Sequence, residues 1–386
     1  GPSGNRGTFH LNTGQRAFKY TAPSGFKCLC TQNLPDTFSG EDINNPSKFF
    51  DVRSHSGTGV DDTDNKGWNF GPDLLWSKLW GPSGGGYKWR AWDQVRGVTK
   101  ELNMNDNNSS ESTQTGGIKQ FNSDGFRVGT FNETGYTTGK DYLFVGWDAG
   151  TAGGANTDGV TNVSSPDQWV NATAGFSITK YSGSAGSTTV GHGLSAKPGL
   201  VIVKATNVDQ HWTVYHQNLD TGDYLQMNTN TDAVDYPMFD DSQPTNTLVP
   251  LGNDDQTSGS SNTYIMYAWT EIPGFSKFGT YEGTGSTDPN FIWTGFRPKF
   301  LMIKNADDAR NWFCFDTVRG TIGGNPHNEY LIPNEDYTEG SNIGGDLDLL
   351  ANGFCWRTAN NDQNDTSDTF IYFAWAEHPQ KIARAK

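Results

Sequence analysis

Short apolar runs alternate along the chain with clusters of Gly, Asn, Asp, Ser and Thr, a pattern that predicts β-strands joined by tight turns. Apolar and polar positions alternate in Trp212–Tyr215 and Tyr264–Trp269, as in strands with one buried face. Leu200–Val203 is continuously apolar, which is typical of a strand buried on both faces. The sequence therefore predicts an all-β fold. One helix is expected, over 346–351, because Asn352-Gly353 can act as a helix stop signal.

Long segments of the chain recur at a spacing of about 100 residues. The segment GFSITKYSGSAGSTTV, which begins at Gly175, returns from Gly274 as GFSKFGTYEGTGSTDP. The apolar runs PGLVIVK and PKFLMIK end at Lys204 and Lys304. The closing runs YIMYAWTE and FIYFAWAE are also alike. So many ordered matches predict two copies of one β-rich unit.

A third and more diverged copy precedes these two. The run PDLLWSK, which ends at Lys78, matches the Pro-to-Lys runs, and DQVRG from Asp93 matches DTVRG from Asp316. Seven short strands in about 100 residues favour a two-sheet sandwich or a jelly roll for each copy. The predicted strands of the middle copy lie near 175–181, 188–193, 199–204, 211–216, 224–228, 247–251 and 263–271.

These matches predict three tandem β-sandwich or jelly-roll-like repeats. The repeats are placed at 46–150, 175–272 and 273–379. The Gly-, Ser- and Thr-rich stretch 151–174 is interpreted as a linker or a long loop. Residues 1–45 are interpreted as a β-rich lead-in and 380–386 as a tail.

Composition narrows the classes of function. The formal net charge is −15, so the surface repels phosphates and nucleic-acid binding is not expected. No run of 18 apolar residues exists, so membrane insertion is not expected either. Four cysteines are too few for a disulfide scaffold, and we expect Cys314 and Cys355 to be buried thiols, although a single disulfide between them stays open.

The sequence carries no recognisable catalytic constellation. It contains no His-Glu-x-x-His helix and no phosphate-binding loop, and its seven histidines are scattered. Glu271, Glu377 and Asp148 occupy one repeat position after the last strand, so we interpret them as acceptors for turn N–H groups rather than as catalytic carboxylates. We therefore expect no enzyme activity and no cofactor.

Aspartate-rich loops are the better candidates for a metal site. The stretches 61–65, 253–255 and 361–365 could offer oxygens to Ca²⁺. Solvated turns explain the same pattern, and no metal ligand is assigned.

The repeat sorts the aromatic residues into two groups. Trp89, Trp212 and Trp312 are equivalent, and so are Trp147, Trp269 and Trp375; we predict that all six lie in the core. The non-repeating tryptophans are expected to be freer to serve a surface; they are Trp68, Trp76, Trp80, Trp92, Trp169, Trp293 and Trp356. Sugar rings stack on flat aromatic faces. Our candidate ligand-binding residues lie in or beside loop-like sequence and are Trp80, Tyr87, Trp169 and Trp293.

Two sets of motifs resemble one group of viral proteins. The lead-in GQRAFKYTAPSGFKCLCTQNLP is similar to the end of a SPRY-like (B30.2-type) lectin-fold domain in virion proteins of tailed phages from marine and aquatic bacteria. The GFS, VGHGL and YxAWxE pieces are similar to tandem β repeats of unknown function in the same proteins. The resemblance implies a virion protein at the particle surface, with other virion proteins as partners, and no catalytic residues to carry over.

The function expected from residues and resemblance together is a phage tail fibre, spike or related appendage. Such a protein would bind a bacterial surface glycan without turnover and with several sites at once, most simply as a homo-oligomer. Three alternatives stay open. They are a purely structural virion protein, such as a capsid decoration or assembly joint, a glycan depolymerase with a site between chains, and a secreted surface lectin.

Overall fold

The computed structural model describes residues 43, 45–81, 86–106, 110–320, 324–340 and 347–377. Within these residues the chain forms 26 β-strands, one four-residue α-helix, α1 (Asn361–Asn364), and a 3-10 turn at Pro46–Lys48. The all-β prediction is confirmed. Residues 1–42 of the proposed lead-in, with Cys28 and Cys30, and the tail lie outside the described residues.

The strands form three two-sheet sandwiches in chain order. The first sandwich contains β1 (Phe50–Ser56), β2 (Thr63–Lys66), β3 (Leu74–Leu79), β4 (Arg90–Asp93), β5 (Lys100–Asn103), β6 (Ser112–Thr113), β7 (Ile118–Asn122), β8 (Gly125–Val128) and β9 (Asp141–Trp147). Two connecting strands follow, β10 (Thr151–Ala152) and β11 (Gln168–Asn171).

The second sandwich contains β12 (Phe176–Ser182), β13 (Thr188–Gly191), β14 (Leu200–Ala205), β15 (Trp212–His216), β16 (Asp223–Gln226), β17 (Val234–Asp235), β18 (Leu248–Leu251) and β19 (Thr263–Trp269). The third contains β20 (Ser276–Glu282), β21 (Asn290–Trp293), β22 (Pro298–Asn305), β23 (Phe313–Asp316), β24 (Leu347–Leu350), β25 (Gly353–Trp356) and β26 (Thr369–Ala376). Seven of the eight strands of the second sandwich fall where the sequence predicts them; the two-residue β17 was not predicted.

One strand order recurs in the main sheets of the three sandwiches. The main sheets run β1-β9-β3-β4-β5-β6, β12-β19-β14-β15-β16-β17 and β20-β26-β22-β23, with β10 and β11 added outside β12. In each, the last long strand lies between the first strand and the Pro-to-Lys strand. The smaller sheets are β2-β8-β7, β13-β18 and β21-β25-β24.

Two sequence interpretations differ from the structure. The helix expected over 346–351 is wrong, because Leu347–Leu350 is strand β24, and Leu347 and Leu349 are buried in the third sandwich. Asn352 is in the two-residue hairpin turn Ala351-Asn352 and Gly353 begins β25, so the Asn-Gly pair is not a helix stop. The stretch 151–174 is also more than a linker, since β11 pairs with β12 from Gln168 opposite Thr179 to Asn171 opposite Phe176.

Each main sheet is buried on both faces. One face packs inside its own sandwich, and the other joins a common core to which all three sandwiches contribute. At its centre Trp147, Trp269 and Trp375 form a triangle with ring centroids 5.2–5.9 Å apart. This double burial explains why Leu200–Val203 is apolar at every position.

Hydrogen bonds link the sandwiches in a closed ring. The N–H of Glu111 donates to the carbonyl of Thr206 at 2.7 Å, and the N–H of Ala233 donates to Ala306 at 2.8 Å. Gly86 closes the ring from the first to the third sandwich through Asp336, at 3.2 Å. The molecule is therefore a closed triangle of sandwiches rather than a linear array.

Candidate functional site

The structure does not bring the four sequence-predicted ligand residues together. Trp80 is half-buried against the common core, with the guanidinium of Arg319 6.0 Å from its ring centroid. Trp169, on β11, also packs on the common core, and Tyr87 packs on the core of the first sandwich. Only Trp293 is open to solvent, with 61% of its surface exposed.

The prediction of core and surface tryptophans is right for the six repeat-equivalent residues and wrong for most of the non-repeating ones. The six repeat-equivalent tryptophans are buried, as predicted. Trp68, Trp76, Trp92 and Trp356 are buried as well, with at most 3% exposure, although the sequence suggested surface roles. Of these four, Trp76 lies in the common core. Trp68 and Trp92 lie in the core of the first sandwich, and Trp356 lies in the core of the third.

Trp293 belongs to an exposed aromatic pair that the sequence reasoning missed in part. Phe291 is 47% exposed and lies two residues before Trp293 on β21, so both side chains leave the same face of the sheet. Ile292 between them is buried in the sandwich. The sequence signal that could have found this pair is the Phe-Ile-Trp run. Side chains two residues apart in a strand leave the same face, so the run places Phe291 and Trp293 together. We call Phe291 and Trp293 the aromatic platform.

Two glycines seat the rings of the platform. A Cβ atom on Gly353 would lie 3.0 Å from Cε2 of Phe291, and one on Gly295 would lie 3.1 Å from Cζ2 of Trp293. Gly295 also has a φ of +87°, a conformation that side-chain-bearing residues rarely adopt. Each ring thus lies over a glycine and leaves its other side to solvent.

Polar groups flank the platform on the same sheet. Phe291 stands in register with Cys355, and Cys355 with Asp348, across β21, β25 and β24. Asp348 forms an ion pair of 2.6 Å with Arg357. Cys355 is itself buried, and burial raises the pKa of its thiol. The arrangement offers two flat apolar rings with a charged pair beside them, and no nucleophile activated by a base.

Comparison with known protein families gives a match that covers nearly all the residues of the three sandwiches. A family model described as a domain of unknown function, DUF7483, matches residues 45–379. The chain belongs to the DUF7483 family. No curated protein matches the chain. The matched residues span all three sandwiches, as expected if they form one structural unit.

The repeated carboxylates of this DUF7483 chain serve its turns. Oε1 of Glu271 accepts from the N–H of Phe278 at 2.8 Å, and Oδ1 of Asp148 accepts from the N–H of Gly150 at 2.7 Å. Glu377 instead pairs with Arg297. Asp73 accepts from the N–H of Ala149, and burial together with the charge of Asp148 raises the pKa of Asp73 to about 8. These contacts support the architectural interpretation for Glu271 and Asp148.

The aspartate-rich loops are engaged with protein groups. Nζ of Lys119 lies 2.8 Å from Asp61 and 2.9 Å from Asp62. In the part of the chain that the structure describes, one acidic group has the spacing of a metal site, with oxygens of Asp308, Asp365 and Asp368 within 4.8 Å of one another. Arg310 stands 3.6 Å from Asp308 and 3.9 Å from Asp365, so a guanidinium balances part of that charge.

Two further expectations concern cysteines and helices. Cys314 and Cys355 are buried free thiols, so the disulfide considered from the sequence is not formed. Among the described residues no helix has the length and apolar character needed to cross a membrane.

Proposed function

We propose that this chain is a non-catalytic attachment protein of a phage particle that binds a bacterial surface glycan through the aromatic platform. The observation that supports this proposal is the pair of exposed rings, Phe291 and Trp293, which lie over glycines on one face of a sheet. Flat aromatic faces complement the C–H faces of sugar rings, and the ion pair of Asp348 with Arg357 stands on the same sheet, beside the register partner of Phe291, where it would meet hydroxyl groups.

The phage assignment is supported by the resemblance of the lead-in and of the repeat motifs to virion proteins. The described residues carry one such platform, on the third sandwich. Valency would therefore come from several copies of the chain, which is why we propose a homo-oligomer that contacts other virion proteins. Linked weak sites of this kind can gain about 10²–10⁴-fold in avidity.

The charge of the chain limits the ligand. A protein with a formal net charge of −15 is repelled by a polyanionic glycan, so the proposed ligand is a neutral one. Contacts between rings and sugars do not depend on long-range attraction. Binding should therefore persist in moderate salt.

The test is retention of the purified protein on host cells, together with an assay for released sugar. A Phe291→Ala/Trp293→Ala variant should lose at least tenfold in retention and keep its melting temperature within a few degrees. Tyr337→Ala is the matched control, since Tyr337 is 55% exposed and follows Asp336, whose carbonyl accepts from Gly86 of the first sandwich, and it should bind normally. Equal retention of the platform variant would refute the proposal, and released oligosaccharide would assign a depolymerase instead.

A purely structural virion role is the second candidate. It is favoured by the packing of Trp80, Tyr87 and Trp169, three aromatic residues that serve internal contacts rather than a ligand. It is also favoured by the closed ring of sandwiches, which makes a rigid joint. Absence of any retention of the unaltered oligomer on host cells would select this role.

A further inference from the structure

Each sandwich has a corresponding pair of strands, β1 with β2, β12 with β13 and β20 with β21, and among them β12 alone has further strands, β11 and β10, outside it. Unpaired edges are sites of unwanted association, and proteins protect them with charges or cover them with other segments. The three edges of this chain are treated in three different ways.

The first sandwich has a charged edge. Gly125 and Gly353 each follow a two-residue turn. Lys66 pairs with Gly125, and Trp293 pairs with Gly353. Lys66 is therefore the counterpart of Trp293, and Asp64 is the counterpart of Phe291. Asp64 forms ion pairs with Lys66 at 3.2 Å and with Arg127 at 2.7 Å. Charges at these positions disfavour the approach of another strand.

The second sandwich has a covered edge. The N–H of Thr161 donates to the carbonyl of Thr189 at 3.0 Å, and the amide of Gln168 donates to the carbonyl of Gly191 at 2.8 Å. The N–H of Lys180, on β12, donates to Asp167 at 2.7 Å. Val163 from the same segment is buried inside the sandwich. Residues 153–171 therefore bridge the edges of both sheets, and we call them the cover segment.

The third sandwich has neither protection. Leu350 and Gly353 close a two-residue turn, so their backbone groups bond each other. Phe291 and Trp293 consequently turn their N–H groups toward the free edge of β21. Thr280, the counterpart of Lys180 on β20, is exposed. Within the described residues no backbone group pairs with this edge, and the one side-chain hydrogen bond to its backbone comes from the hydroxyl of Tyr372, which donates to the carbonyl of Trp293 at 3.4 Å. We call Thr280, Phe291 and Trp293 the bare edge.

Charge distinguishes the two ends of the bare edge. At one end the backbone N–H of Phe278 donates to the carboxylate of Glu271, and the carbonyl of Phe278 accepts from the side-chain amide of Gln217. At the other end Glu282 and Asp288 are exposed and make no ion pair with any described residue. A ligand that lies along the edge therefore meets negative charge at the end near Glu282.

We propose that the bare edge is a strand-addition site for an extended segment of another protein, in the manner of the cover segment on the second sandwich. The bound segment would pair with the backbone of Thr280, Phe291 and Trp293 and place an apolar residue between the sheets, as Val163 does. Asp167 of the cover segment stands opposite Lys180. A lysine or arginine at that position of the bound segment would lie opposite Thr280 and diagonal to Glu282, two residues further along β20.

This inference does not rest on glycan binding. Strand addition uses the backbone groups at the side of β21, whereas a sugar would use the ring faces above the sheet. Thr280 belongs to the bare edge but not to the aromatic platform, so one substitution can separate the two activities.

The chain itself supplies the probe. A labelled synthetic peptide of residues 153–171 with Asp167→Lys should bind the full chain and slow amide exchange at Thr280, Phe291 and Trp293. The unmodified peptide should bind at least fivefold more weakly, because its aspartate would lie opposite Thr280 and diagonal to the like charge of Glu282. Thr280→Pro removes the edge N–H without entering a central strand and should abolish peptide binding while leaving glycan retention unchanged. Ser54→Pro, at the counterpart position of the first sandwich, is the control and should have no effect.

Several results would overturn the proposal. They are no binding at millimolar peptide, equal binding to Thr280→Pro and unaltered protein, and exchange protection at another edge. Dimerisation of the chain that Thr280→Pro abolishes in sedimentation would assign the bare edge to a second copy of the chain instead.

Discussion

Two kinds of buried side chain, the tryptophans of the triangle and three equivalent lysines, contribute differently to stability. The tryptophan triangle joins three distant parts of the chain through apolar contact alone. Lys78, Lys204 and Lys304 occupy equivalent positions, have no exposed surface, and donate to loop carbonyls. Large apolar groups stabilise such sites strongly, whereas buried cations cost free energy that their hydrogen bonds only partly offset.

Trp312→Ala and Trp293→Ala should separate core from surface. Trp312 is fully buried and its indole N–H donates to Gln226 at 3.0 Å, so its truncation should cost about 3–5 kcal/mol of unfolding free energy. Trp293 is mostly exposed, and its truncation should cost below about 1 kcal/mol. Urea unfolding of both variants gives the comparison; similar losses would contradict the assignment of Trp293 to the surface.

Lys204→Met tests the cost of a buried cation. Burial lowers the pKa of Lys204 to about 8, below the value of about 10.5 in an unfolded chain. Between those values the unfolded chain binds more protons, so the native chain gains stability as pH rises, and the cost is full below pH 8. The stability of unaltered protein relative to Lys204→Met should therefore increase from pH 8 to pH 10, by up to about 1.4 kcal/mol per pH unit. A difference independent of pH would mean that Lys204 keeps an ordinary pKa.

At the scale of elements, the treatment of strand edges distinguishes the three sandwiches. The same pair of edge strands is charged in the first, covered in the second and bare in the third. The cover segment comes from a stretch whose composition is that of a loop. Its structural role arises from a few residues, among them Gln168 and Val163, that reach the second sandwich.

Val163→Ser should show that the cover segment is part of the fold. Val163 is 1% exposed, so the substitution leaves a hydroxyl and a small cavity in the second core and should cost about 1–3 kcal/mol. Val160→Ser is the matched control, because Val160 is 77% exposed and its change should be nearly neutral. Thermal melts of the two variants measure the difference. Equal melting temperatures would restore the interpretation of this stretch as a linker.

At the scale of the whole molecule, the common core and the closed ring make the sandwiches depend on one another. A separated sandwich would expose the second face of its main sheet, including one tryptophan of the triangle. That face is apolar along its length, so exposing it removes a large share of the buried surface. The three sandwiches therefore share their stability.

The intact chain should unfold as one cooperative unit. We expect a single calorimetric transition whose van't Hoff and calorimetric enthalpies agree. A fragment of residues 175–272 should not fold alone, because Ile202, Trp212 and Trp269 would face water. Two or three separate transitions, or a folded fragment, would show that the sandwiches are independent domains.

The sequence by itself determined the local features of this protein. The strands of the second sandwich and the burial of the six repeated tryptophans could be predicted because two-residue alternation and turn residues act over a few neighbouring positions. The three-copy division with its boundaries stays a prediction, and the shared strand order of the three main sheets is consistent with it.

Only the tertiary structure decided which surfaces remain free. Trp76, Trp92 and Trp356 look like surface candidates in the sequence, yet they are buried. Trp76 lies in the common core and the other two lie inside their own sandwiches, because packing between distant segments, which no local pattern encodes, covers them. Trp169 and Trp293 look alike in sequence as well. Trp169 is partly buried and Trp293 is exposed, since the cover segment, which contains Trp169, bridges the edges of the second sandwich and nothing among the described residues bridges those of the third. Exposure is set by which segments meet, and that is a property of the whole fold rather than of neighbouring residues.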